Sequence, residues 1–434
     1  MSSPKPHTAS ASRTLDTVLA RLPKRRRAEQ RFRVYGLAAI VIGLSFLVVL
    51  FASIIGNGYS AFRYTHVGLD IHFDPAVLDP TGARQPATLA GADYDALWKT
   101  SLAARVPEVA ERSKQRALYG LVSTSAGDRL RDLVTANPGL IGTTERLWLP
   151  VDDAIDMLVK GRIEPGASDT GSRLAAQQAW VHTLAAEGRI QQQFNTVFFT
   201  RGDSREPETA GIWGAVVGSA LTLLVTLGLS LPVGIAAAIY LEEFAPRNRW
   251  TDLIEVNINN LAAVPSIVFG LLGLAVFINA FGLPRSSPLV GGLVLTLMTL
   301  PVMIIVGRSA LKAVPPSVKE AALGIGASPM QAVIDHVLPL ALPGMLTGAI
   351  IGTARALGES APLLMIGMVA FIADVPKALS DPATVLPVQI YLWADSPERA
   401  FTERTSAAIL VLLAFLIVIN GAAVYLRKRY ERRW

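Results

Sequence analysis

Cysteine is absent from the 434 residues, which excludes disulfides, Cys-ligated zinc and iron–sulfur chemistry without fixing a compartment. Charge is scarce: 17% of the residues are Asp, Glu, Lys or Arg, against roughly 25% in an ordinary soluble domain, so a soluble chain of this length would lack polar surface. Signatures of chemistry are missing as well. There is no G-x-x-x-x-G-K-[ST] phosphate loop, no G-x-S-x-G elbow and no H-E-x-x-H pair, and Gly324-Ile325-Gly326 is only a G-x-G fragment. The chain therefore reads as non-catalytic, with no cofactor implied and ATP handled by another chain.

Apolar residues make up 51% of the sequence, and they fall in long runs. The net charge of +6 is not a nucleic-acid signal, because the basic residues cluster beside apolar runs (KRRR at 24–27, RKRYERRW at 427–434) rather than among aromatics on one face. Residues 1–33, rich in Ser and Thr and then basic, are expected to form a disordered cytoplasmic tail. The run 34–56, about 23 residues, is long enough to cross a bilayer and too long for a signal-peptide core, so an uncleaved anchor is expected. An Arg- and Ser-rich transit peptide is the alternative, which the later apolar runs make unnecessary. Five more spans are expected near 212–241, 257–281, 288–310, 342–373 and 406–426. Six spans place both termini on one side, and the positive-inside rule makes that side cytoplasmic, with a basic tail at 427–434.

Between the first two spans lies a polar insert, 57–211, long enough for an independent domain and falling on the outer face. In THVGLDIHFD, Val67, Leu69, Ile71 and Phe73 alternate, which predicts a half-buried strand; 111–134 and 171–194 carry helical spacing, so the insert is expected to be α+β. His66, Asp70, His72 and Asp74 share the polar side of that strand. They have the donor types of a metal site, and an edge strand with one solvated face gives the same pattern. His182, alone in a helical segment, reads as a surface or packing residue.

Arg355 and Glu359 stand near the middle of the expected fifth span, four residues apart and hence on one helix face. Glu359 can neutralise Arg355 and lower the cost of burying either. The pair fits a static packing contact or a place on an anion's route, where a neighbouring carboxylate moderates how tightly the cation holds its cargo.

The segment 315–339 is a polar, helix-forming loop set between apolar runs. Glu320, Ala321, Ala322 and Leu323 are helix formers, Gly326 permits a turn, and Ala332, Val333 and Val337 offer apolar contacts to a second short helix. Its pattern E-A-A-x3-G-x9-H-x-L-P resembles the EAA loop of ABC-importer permeases, with His336 where Ile is commoner. The stretches LAAVPSIVFGLLG (261–273), 299–328 and LPGMLTGAIIGTARALGESAPLL (342–364) narrow the resemblance to phosphate-specific ABC importer permeases, and GESAPLL is more like the A-type subunit than its C-type partner. The resemblance covers roughly half the chain, most of 210–426. It implies an all-α polytopic membrane protein of about six transmembrane helices in the type I ABC-importer permease fold, with the insert as an addition to the compact plan. It implies a bacterial inner-membrane subunit that works with a second permease, a cytoplasmic ATPase dimer and a periplasmic phosphate-binding protein. It also implies that Glu320, Ala321, Ala322 and Gly326 couple to the ATPase while Arg355 and Glu359 serve phosphate passage. A permease for sulfate or molybdate would keep the loop but lack GESAPLL and VPSIVFG. A membrane sensor would need a cytoplasmic output domain, and only short tails are present.

Overall fold

A computed structural model describes residues 8–80, 82, 84–106, 111–164 and 169–430. The chain forms two compact units, one ending at Gly56 and one beginning at Asn57. The first consists of one helix, α1 (Thr8–Gly58), whose segment from Arg26 is apolar and long enough to cross a membrane. The tail expected to be disordered over 1–33 is thus helical from Thr8, and residues 1–7 lie outside the described residues. Arg, Leu and Ala make up most of 15–33, and an already formed apolar helix downstream removes the cost of nucleation.

In the second unit the alternating segment is indeed a strand. β1 (Arg63–His72) pairs antiparallel with β2 (Thr144–Pro150) on one side and β3 (Ile190–Phe194) on the other, so it is the central strand of the sheet and not an edge. Val67, Leu69, Ile71 and Phe73 are buried with Leu102 of α2 (Tyr94–Arg105), Leu130 of α3 (Ala126–Ala136) and Ile155 of α4 (Asp153–Val159). The opposite side is not freely solvated either, since Tyr64 and His66 are buried on it; Thr65, on the apolar side, is buried too, and its N–H donates to Asp156 Oδ1 at 2.9 Å. The helical spacing over 171–194 holds only for α5 (Asp169–Ala186). Gly188, at φ +68°, turns the chain, and Ile190–Phe194 enters the sheet. His182 is exposed, as a surface residue would be.

The polar side chains of β1 have structural partners. Asp70 takes Arg105, Arg146 at 2.9 Å and Arg189 at 2.8 Å, His72 bonds Thr144 Oγ1 at 2.9 Å, and Asp74 caps a helical turn by accepting the Ala76 N–H at 2.8 Å. Hydrogen bonds from Arg146 and then Arg189 hold the Asp70 carboxyl far below the usual carboxylate range. These contacts account for the polar pattern, and no group of metal-donor side chains occurs among the described residues.

The membrane part comprises α6 (Trp213–Phe244), α7 (Arg249–Ala262), α8 (Ser266–Ala280), α9 (Pro288–Lys312), α10 (Pro316–Gly324), α11 (Pro329–Gly358), α12 (Ala361–Met365), α13 (Leu386–Ala394) and α14 (Arg399–Tyr430). Five helices of the described chain are long and apolar enough to span, or six if the bent pair α7–α8 counts as one. Two expected spans need correction. The one at 257–281 is broken at Ala263–Pro265 and bent by 104°, because Pro265 lacks an N–H and disfavours helix in the residue before it. The one at 342–373 ends at Gly358, where a poor helix former is followed by Pro362.

The insert belongs to the same compact unit as the membrane helices. Phe198 and Ile212 share a buried cluster with Leu386, Trp393 and Phe401. Beside it Lys160 bonds Asp156 at 2.7 Å and Glu403 of α14 at 2.9 Å, all three side chains being at most 7% exposed. Arg404 donates to the Ala210 carbonyl at 2.6 Å.

Asp152 opens α4, its side chain accepting the Ala154 N–H at 3.1 Å. Burial, and then the charge of Asp153, push its carboxyl up to about 7. A carboxyl raised in the folded state favours folding while protonated, so this term is lost as pH rises from about 4, where the unfolded group ionises, to about 7. Asp152→Asn keeps the cap and removes the charge. The purified variant is expected to melt at a higher temperature than the parent at pH 8 and at the same temperature at pH 4, as followed by tryptophan fluorescence.

Candidate functional site

The segment 315–339 folds as a hairpin. Pro315 and Pro316 start α10, and the two arms pack on each other, with Ala322 of the first and Ala332 and Val333 of the second buried. Gly326 lies at φ +95°, the left-handed region that glycine enters freely, and it makes the turn. Ser328 and Gln331 form a reciprocal capping box: Ser328 Oγ accepts the Gln331 N–H at 3.3 Å, and Gln331 Oε1 accepts the Ser328 N–H at 2.9 Å. Glu320, Ala321 and His336 are exposed, and so are Leu323, Ile325 and Met330, with Ile325 at 83%. The tip is thus apolar and exposed, with a carboxylate beside it. The second arm is not a separate short helix as the sequence suggested. It is the first turns of α11, which runs unbroken for 30 residues to Gly358.

Sequence reading missed the ionic base of this hairpin. Arg308 of α9 bonds Glu242 at 3.2 Å and also Glu255 of α7, Lys312 reaches Glu242 at 3.5 Å, and Lys319 of α10 pairs with Glu243. The Lys319 pair ties α10 to the end of α6, and the Arg308 and Lys312 contacts tie α9 to α6 and α7 beside it. The only local signal is a Glu pair at the end of an apolar run; its partners lie more than 50 residues away.

At the far end of α11 stands Arg355, in the last turn, and Glu359 follows the helix in extended conformation. Arg355 Nε and Glu359 Oε1 are 3.9 Å apart, with side chains 37% and 24% exposed. The two are therefore not on one face at mid-helix, and their contact is a long, partly solvated ion pair worth at most about 1 kcal/mol. Arg355 also sits where the negative end of the helix dipole favours a cation. The break that follows packs on the break in the other bent helix: a Cβ added to Gly270 in α8 would lie 2.7 Å from Pro362 Cα. The motifs VPSIVFG and GESAPLL, far apart in sequence, thus meet as two interrupted helices. Membrane transporters build substrate sites from interrupted helices of this kind, whose free ends present unpaired backbone dipoles.

Gly326→Val tests the hairpin. An added Cβ meets nothing within 4 Å, so the strain is confined to the backbone and amounts to about 1–3 kcal/mol. The variant is expected to assemble at normal abundance into a complex whose separate ATPase subunit still hydrolyses ATP, with little uptake. An unchanged ratio of uptake to hydrolysis contradicts a coupling role.

Residues 230–432 match the family described as binding-protein-dependent transport system inner membrane component, and residues 19–168 match a domain of unknown function, DUF3333. A probable ABC transporter permease protein, YqgI, of Bacillus subtilis is 32% identical over 249 residues, 54% of this chain and 83% of that protein. The phosphate transport system permease protein PstA 1 of Mycobacterium tuberculosis is 31% identical over 254 residues, 58% of this chain and 77% of that protein. Among solved structures, an inward-facing conformation of the MetNI methionine ABC transporter aligns with 51% of this chain and 95% of its own at 20% identity and a TM-score of 0.40.

Proposed function

Because the chain belongs to the family of binding-protein-dependent transport inner-membrane components, we propose that it is the A-type permease subunit of an ATP-driven importer of inorganic phosphate. The single observation that carries this reading is the continuity of α11. One helix of 30 residues, about 45 Å long, joins an exposed docking hairpin at Pro329 to a cation beside a helix break at Arg355. Displacement of the hairpin by a closing ATPase moves the Arg355 end as well, because an unbroken helix transmits translation and tilt. Glu320 and Ala321 face the partner, the buried Ala322 and the turn at Gly326 hold the hairpin's shape, and Arg355 meets the anion while Glu359 limits how tightly it is held.

In this scheme the basic segments at 24–33 and 427–434 lie in the cytoplasm with the hairpin, and the insert 57–211 faces outward in the inner membrane of a bacterium. The partners are a C-type permease, a cytoplasmic ATPase dimer and a periplasmic phosphate-binding protein. The phosphate transport named for the PstA relatives and the phosphate-permease pattern RALGESAPLL support phosphate as the cargo. The test is to co-purify the tagged chain with these partners and assay ATPase activity in liposomes. Stimulation by phosphate-loaded binding protein is expected, and stimulation by a sulfate-loaded protein alone contradicts the assignment.

A further inference from the structure

The insert contains a cavity of about 360 Å³ whose lining joins β1, α3 and the segment after β3. Arg129 and Arg201 both line it, and among the described residues neither guanidinium has a hydrogen-bond or ion-pair partner. Burial, and then the charge of Arg201, push Arg129 below the ordinary arginine range, so the two cations lie close enough to repel. Of the three carboxylates that line the cavity, Asp128 and Asp132 pair with Arg131 at 3.0 Å and 3.9 Å, and Glu208 accepts the Ser123 hydroxyl at 2.7 Å. Two unpaired arginines lining one cavity are the donor set for an oxyanion, which each can bind in bidentate fashion.

His66, buried in the same wall, adds selectivity. Its Nδ1 lies 3.0 Å from the Tyr64 carbonyl, which can only accept, so Nδ1 carries the proton and a neutral ring leaves Nε2 as an acceptor. Burial lowers the pKa of this histidine and so favours the neutral ring. Glu208 supplies further acceptor capacity. Acceptors facing an anion are useful only when the anion itself donates. Inorganic phosphate keeps an O–H at neutral pH and sulfate keeps none.

We propose that this cavity is a phosphate-binding site of the insert, with Arg129 and Arg201 holding the charge and His66 and Glu208 accepting the phosphate O–H. The site stands on the insert's own residues and holds even if the transported ion is another.

Equilibrium dialysis of the detergent-purified full chain against radiolabelled phosphate tests it. Saturable binding is expected, weakened at least tenfold in Arg129→Gln with Arg201→Gln and retained in Arg355→Gln, which separates this site from the membrane route. Neither guanidinium has a hydrogen bond or ion pair within the described residues to lose, so the variant should fold, and Arg129→Lys with Arg201→Lys should keep part of the affinity. Equal binding by the parent and the double Gln variant, or none by the parent, overturns the proposal. Sulfate is expected to compete at least tenfold more weakly. Equal competition by sulfate overturns the part assigned to His66 and Glu208.

Discussion

Arg355→Gln is expected to abolish phosphate uptake while the complex still assembles. An anion leaving water for the helix break meets one cation, on a side chain 37% exposed and therefore reachable. Losing one charge contact at about 4 Å costs about 4 kcal/mol at an effective dielectric of 20, on the order of a thousandfold in rate. The remaining carboxylate of Glu359 would then repel the cargo. Glu359→Gln should slow uptake less, because the long, half-solvated contact contributes little to holding Arg355 in place. If the pair serves packing alone, the double variant Arg355→Gln with Glu359→Gln regains uptake. A route role requires that it stay inactive. Uptake of labelled phosphate per assembled complex decides between them.

Lys160→Met should loosen the insert from the membrane helices. It leaves Asp156 and Glu403 buried without their shared cation, a loss of about 3–5 kcal/mol. The Thr65 N–H bond to Asp156 is the single charge-assisted contact left to that carboxylate. Glu403→Gln should cost less, since Lys160 keeps Asp156. The triple change Lys160→Met, Asp156→Asn, Glu403→Gln removes all the charge at once and should recover much of the stability. Limited proteolysis of the insert in the purified complex reads the effect: rapid cleavage in Lys160→Met and near-parental resistance in the triple variant. Equal resistance in Lys160→Met and the parent contradicts a buried ionic joint.

What could be read from the sequence was what depends on neighbours in the chain. The alternation of Val67, Leu69, Ile71 and Phe73 gave the strand, and Gly326 in a polar loop gave the turn. Whether β1 is an edge or a centre depends on Thr144–Pro150 and Ile190–Phe194, which carry no local sign of pairing with it. Hydropathy located the spans but is insensitive to direction. Val264 continues the apolar run although Pro265 bends it, and Ala361–Ile366 kept the fifth span apolar past its true end at Gly358. The proline and glycine signals were present at both breaks and were outweighed by the run of apolar residues. Lys160 and Glu403 are 243 residues apart, so only the fold brings them together. The candidate coupling and route residues were legible by pattern, whereas Arg129 and Arg201 were not, because a cavity has no sequence signature.

The most direct measurement is uptake by proteoliposomes holding this chain with its second permease and ATPase, supplied with the binding protein and ATP. The expected result is ATP-dependent accumulation of labelled phosphate that excess sulfate does not suppress and that Arg355→Gln eliminates. Accumulation of sulfate in place of phosphate, or undiminished phosphate uptake by Arg355→Gln, would contradict it.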